Sequence, residues 1–178
     1  MSAVLREMFS KRRAVFAASF QRLSSFPPGT QREIAVEALA RSIGGHLRSV
    51  ELGTNAALRK VAPRRVAAAV LEQYAEVGST LADLLSAGPR SPLFPAFVSD
   101  LEAAVRRMYK REDAALDLLE GRLNDSALLI LEVTMDQRYE DYVGVAGFDE
   151  LLYTSTSTGA SRSNSPASGV QPAMPQGR

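Results

Sequence analysis

The side chains able to do chemistry are few. His46 is the only histidine, and cysteine is absent. Thiol nucleophiles, Cys-ligated zinc, iron–sulfur clusters and disulfide scaffolds are therefore excluded. A metal site would rest on carboxylates alone, and any Ser-His-Asp scheme would have to pass through His46. That residue follows Gly44-Gly45 on a helix face, where a packing or surface role is the expectation. There is no glycine-rich phosphate loop, no His/Glu metal motif and no nucleophile elbow, so neither an enzyme nor a cofactor is expected. Asn124-Asp125-Ser126 has the form of a glycosylation sequon. It carries no weight without secretion, and the opening MSAVLREMFSKRR lacks a signal-peptide core, so a cytosolic compartment is expected.

Charge patterning is more informative. Between Leu52 and Leu71 stand four basic residues, Arg59, Lys60, Arg64 and Arg65, and no acid. They bracket Pro63, so they meet at a helix junction beside free backbone N–H groups, where phosphate binds readily. A solvated basic turn is the plainer alternative. From Arg106 to Asp125 five basic residues (Arg106, Arg107, Lys110, Arg111, Arg122) alternate with five acids (Glu112, Asp113, Asp117, Glu120, Asp125). On an isolated helix such residues form surface pairs at four-residue spacing. Read functionally, they form a balanced patch of arginines for phosphates and carboxylates that repel one another when no polyanion is present. Phe148 and Tyr153 flank an acidic pair in FDELLY, a pattern that anchors a terminal segment on a core.

The elements that position these residues read as helices. The chain has 178 residues, 46% hydrophobic and 23% charged, with a net charge of +1. That is enough apolar material for one core and argues against a simple polybasic coat unless basic groups cluster. No apolar run reaches membrane-span length, so no membrane partner is expected. Ser2 to Arg22 form a first amphipathic stretch, closed by Pro27-Pro28-Gly29. Thr30, with Glu33 three residues on, has capping-box spacing and opens a second helix. Its inward stripe is Ile34, Leu39, Ile43, Leu47 and Val50, interrupted at Gly44-Gly45. Pro63 suits the first turn of a third helix, whose stripe is Val66, Val70, Tyr74, Val77, Leu81 and Leu84. Gly88-Pro89 ends it, and three prolines predict a non-helical Pro89–Val98. A fourth helix carries Leu101, Val105, Met108, Ala115 and Leu119. A fifth opens near Asn124 or Asp125 and carries Leu128, Leu131, Met135, Tyr139 and Tyr142. Val145 to Thr154 reads as extended. Beyond it, Thr154 to Arg178 is Ser, Thr, Pro, Gly and Ala without an acid, the composition of a disordered tail. Residues 1–153 are thus one helical domain and 154–178 a tail.

Three blocks of sequence resemble the tobamovirus-type coat proteins of rod-shaped plant RNA viruses. The first is Leu52-Gly53-Thr54-Asn55-Ala56, followed at family spacing by Val70, Gln73, Tyr74, Glu76 and Val77. The second is Arg122-Leu123-Asn124-Asp125-Ser126-Ala127, similar to the start of the family's last bundle helix. The third is Phe148-Asp149 with Leu151-Leu152-Tyr153-Thr154-Ser155, where tyrosine stands for the family's tryptophan. The blocks occur in family order. The longer N-terminus, the run of the third helix past Val77 and the extended tail point to the wider virgavirus family rather than the tobamovirus genus.

The resemblance implies an all-α, up-down four-helix bundle with a small extended base. It also implies a structural capsid protein, many copies of which form a helical rod around single-stranded RNA without base-specific readout, in the virion and, before assembly, the host cytoplasm. By the family pattern, Arg122 and Asp125 face RNA and Leu128 offers an apolar surface to bases. The family's arginine near Pro63 aligns with Ala67, so Arg64 and Arg65 stand in for it one turn away. Lys110 and Arg111 fall where arginines enter the inner loop. Glu76 matches a carboxylate that faces an acid of the next subunit, with Asp100 as its candidate partner. A helical scaffold or regulatory protein with no capsid role is the alternative.

Overall fold

In the computed structural model, which describes residues 4–145, every regular element is helical. The helices are α1 (Val4–Ser25), α2 (Thr30–Leu52), α3 (Thr54–Val61), α4 (Arg64–Ala87), α5 (Phe94–Glu120) and α6 (Asp125–Val145). No strand occurs among the described residues. The FDELLY segment and the tail lie outside them.

Sequence punctuation accounts for most boundaries. Pro27-Pro28-Gly29 separates α1 from α2, and Gly88, at φ 74°, closes α4 in a left-handed conformation natural to glycine. Asn124 Oδ1 accepts a hydrogen bond from the Ala127 amide at 2.9 Å, capping α6. Three expectations are corrected. Thr30 is the first residue of α2 rather than its cap; Gly29 precedes it, and the Glu33 carboxylate is drawn away by Arg90 at 3.0 Å. Helix α5 begins at Phe94, inside the stretch expected to be non-helical, because Pro95 lies in its first turn, where no intrahelical amide is needed. Gly53-Thr54 divides α2 from a short helix, α3, that the periodicity did not separate.

Five long helices alternate in direction, as many as the periodicity predicts and one more than the four-helix bundle that the resemblance implies. Arg6 reaches Asp117 and Glu120 while Arg13 reaches Glu112, so α1 and α5 are antiparallel. His46 packs between Phe9 and Phe16, Arg12 reaches Ser49, and only residues 26–29 join the two helices, so α1 also runs against α2. Ser42 meets Tyr139, and Thr54 meets Met135, so α6 runs against α2. Helices α4 and α5 form an antiparallel pair, tied across by Arg107 and Glu76. One end of the bundle therefore gathers the C-terminus of α2, all of α3, the N-terminus of α4 and the α5–α6 turn. The opposite end holds the 26–29 and 88–93 turns. There Arg32 donates to the Phe26 and Pro89 carbonyls at 2.9 and 3.2 Å and covers the Phe94 ring.

The expected stripes of α4, α5 and α6 point inward: Val70, Val77, Leu84, Leu101, Met108, Leu119 and Met135 are all core residues. Ile34 is the exception, at 61% exposed. It lies a turn before Leu39 and off the line that Val36, Leu39 and Ile43 follow. Gly44-Gly45 does not interrupt α2. A Cβ at Gly44 would stand 2.8 Å from the Tyr142 hydroxyl, and one at Gly45 would stand 3.0 Å from Val143 Cγ2. These glycines let α6 approach closely. At Gly53 a Cβ would overlap Met135 Cγ, in the middle of a side chain with few places to go. Gly53→Ala is expected to lower unfolding free energy by about 1–3 kcal/mol, read from urea denaturation; an unchanged midpoint would show that Met135 moves aside freely.

Candidate nucleic-acid interface

Lys11, Arg41, Arg48 and Arg138 pair with acids on their own helices, Arg32 meets carbonyls, and Arg22 is exposed without an ion pair among the described residues. The other described basic residues divide into two groups. Arg6, Arg12, Arg13, Arg90, Arg106 and Arg107 each meet a carboxylate. Arg59, Lys60, Arg64, Arg65, Lys110, Arg111 and Arg122 are exposed, and none has an acidic partner among the described residues. The expected surface pairs inside 106–125 do not form. Arg106 pairs outside the segment with Glu102, and the acids of this stretch turn to α1, as Asp113 does to Arg13 at 2.8 Å and Asp117 does to Arg6 at 2.6 Å. Helix α1 takes Glu112, Asp113, Asp117 and Glu120, and Lys110 and Arg111 of α5 are left without an acidic partner among the described residues.

The bundle brings most of these free cations together. The antiparallel register of α4 and α5 sets Arg64 and Arg65 at the same end as Arg122, with Arg59 and Lys60 on the last turn of α3 beside them. Pro63 precedes α4, and no side chain caps that helix. The amides of its first turn therefore add their partial positive charge to the arginines. Asp125, in the first turn of α6, is exposed three residues from Arg122. Lys110 and Arg111 are not part of this end: they stand about 17 Å from Arg122 along α5 at 1.5 Å per residue.

Leu128 does not fit its expected role. It is 2% exposed, on the inward stripe with Leu131 and Met135, and offers no surface to a base in this conformation. Ala67, the position aligned with the family arginine, is also buried. Glu76 is exposed but not alone. Arg107 lies against its carboxylate and holds its pKa below the ordinary value, helped by the Gln73 amide. Within one chain Asp100 is exposed about two turns further along α5 from Arg107, about 10 Å away at helical rise.

Beneath this surface lies a buried polar network that sequence reasoning missed. His46 Nε2 is 2.6 Å from Glu112 Oε1, and Arg13 donates to Glu112 Oε2 at 3.1 Å. The Glu112 side chain is fully buried. The imidazole is wedged edge-on between Phe9 and Phe16, and its Nδ1 has no partner among the described residues. The tautomer protonated on Nε2 therefore donates to Glu112. One turn away Arg12, 4% exposed, donates to Ser49 Oγ at 2.7 Å, to the Met135 carbonyl at 3.1 Å and to Asp136 at 3.2 Å. Its guanidinium covers the Tyr139 ring at 4.3 Å. Burial lowers the Arg12 pKa, and Asp136 works against that shift. Burial, with the Glu112 charge beside it, pushes the Tyr74 hydroxyl pKa upward. The network joins α1, α2, α5 and α6. Its His46–Glu112 half is closed to solvent, whereas the Asp136 side chain is 58% exposed, and no group of three metal-ligating side chains exists among the described residues. It holds the four helices together.

Compared with protein-family models, curated proteins and solved structures, the chain matches none.

Proposed function

We propose that this protein is a coat-type structural protein that self-assembles and packages single-stranded RNA through phosphate contacts. The observation that carries the reading is the set of exposed cations without carboxylate partners, five of which share the α3–α4 end of the bundle. Arg6, Arg12 and Arg13 of α1 each pair with a carboxylate, whereas these cations have no such partner among the described residues. Leaving five unpaired in one place costs mutual repulsion, which a polyanion relieves. On this reading α2, α4, α5 and α6 correspond to the family's four-helix bundle, and α1 is an additional helix. Backbone recognition suits packaging of a whole genome, since phosphate contacts carry no sequence information. Copies of the chain and single-stranded RNA are the partners, and the virion is the location.

The test is negative-stain microscopy of purified protein near pH 5, with and without single-stranded RNA, followed by nuclease digestion. Rods with protected RNA are expected. Small monodisperse oligomers that leave RNA digestible would replace this reading with that of a helical scaffold or regulator.

A further inference from the structure

A groove of about 520 Å³ runs between α1 and α6. Its α1 wall carries Val4, Met8 and Val15 beside charged residues, and its α6 wall carries Glu132, Asp136 and Glu140. Two cations line it, and both are engaged: Lys11 by Glu7 at 2.9 Å and Arg12 by Asp136 at 3.2 Å. Glu132 and Glu140 form no ion pair among the described residues, although Lys11 lies near enough to Glu132 to feel its charge. The same wall continues outward through Leu129 and Val133, three residues before Glu132 and Asp136 respectively. Those two side chains are 51% and 59% exposed. The groove thus combines apolar side chains with four carboxylates (Glu7, Glu132, Asp136 and Glu140) against two cations.

Its complement is present on the same chain. At the α3–α4 junction, Ala62-Pro63 is flanked by Arg59 and Lys60 on one side and by Arg64 and Arg65 on the other. All four cations are exposed and without acidic partners among the described residues. We infer that the α1–α6 groove is the docking site for the basic α3–α4 junction of a second copy of this chain. The exposed Pro63 meets the apolar side chains Val4, Met8 and Val15, and the flanking cations meet Glu132 and Glu140. The groove lies on the flank of the bundle and the junction at its end, so the two copies use different surfaces. Such a contact leaves one free groove and one free junction at every stage, and it propagates as an open chain unless the rotation closes a ring. The inference rests on the self-assembly reading and names the surfaces that would carry it. It describes the RNA-free contact, because phosphates and the groove's carboxylates compete for the same cations.

The experiment is sedimentation velocity of nuclease-treated protein at low ionic strength, with circular dichroism to confirm folding. One variant carries Glu132→Arg and Glu140→Arg; the other carries Arg64→Glu and Arg65→Glu. All four positions are at the surface, and each variant alone is expected to lose association by more than about tenfold through like-charge repulsion. An equimolar mixture is expected to regain it, since the reversed groove of one variant fits the reversed junction of the other. Raising salt should weaken both the wild-type and the restored association. Variants that associate like the wild type would overturn the contact. So would a mixture that stays dissociated, which would assign the groove to another occupant such as residues 146–178. A wild-type chain that is monomeric without RNA yet forms nuclease-resistant particles with it would overturn this contact and leave the coat reading standing; one that does neither would overturn both.

Discussion

Glu112→Ala is expected to lower the unfolding free energy by about 3–5 kcal/mol, the cost of removing one partner from a buried charged pair. For a domain of this size that is a fall of roughly 10 °C in the thermal midpoint. The reason lies in what each partner could do afterwards. Arg13 keeps Asp113 at 2.8 Å and the Tyr109 carbonyl at 3.2 Å, so it is not stranded. His46 has no such fallback. Its Nε2–H would face a cavity, its Nδ1 already lacks a partner among the described residues, and Phe9 and Phe16 enclose the ring. Glu112→Gln keeps the shape and one acceptor, and is expected to cost about 1–3 kcal/mol. Replacing both residues, His46→Leu with Glu112→Leu, should recover part of the loss of Glu112→Ala, because an apolar pair needs no hydrogen bonds. Thermal denaturation followed by circular dichroism measures all three. A loss below 1 kcal/mol for Glu112→Ala would mean that water reaches this site.

The network was hidden in the sequence for a physical reason. Glu112 sits on the line Leu101, Val105, Met108, Ala115 and Leu119, Arg12 on the line Met8, Phe16 and Phe20, and His46 on the line Leu39, Ile43 and Val50. Periodicity therefore shows that each points inward, where a charge is costly alone. It does not show that the three stand near one height in the bundle, which depends on how α1, α2 and α5 are paired. Charge spacing within 106–125 instead suggested surface pairs along one helix. Helix existence was more legible, because Pro27-Pro28-Gly29 and Gly88-Pro89 punctuate the chain regardless of tertiary context. The start of α5 was not, since proline ends a helix or opens one according to which side of it folds. The cations show the same limit. Their type and clustering are visible in the sequence, but which remain unpaired is decided by Arg6 and Arg13 of α1 taking the acids of α5.

That division of charges makes the effect of RNA binding calculable. If the five cations at the α3–α4 end each neutralise a phosphate of a single strand, the logarithm of affinity should fall with the logarithm of salt at a slope of about −3.5. Reversing or neutralising a cation that contacts no phosphate changes little; removing one that does lowers the slope by about 0.7. The triple variant Arg64→Ala, Arg65→Ala and Arg122→Ala should therefore flatten the slope by about 2, which corresponds to roughly a hundredfold weaker binding at 0.1 M salt relative to 1 M. All three residues are exposed and without acidic partners among the described residues, so the fold should be untouched. Loss of affinity should also be the same for homopolymers of different base, since phosphate contacts do not read sequence. A control variant, Arg90→Ala, removes a cation at the opposite end that is already paired with Glu33, and it should leave the slope unchanged. Fluorescence anisotropy with a labelled oligoribonucleotide, titrated at several salt concentrations, gives these slopes directly. Equal slopes for wild type and triple variant would place the phosphates elsewhere, with Lys110 and Arg111 as the next cations to remove.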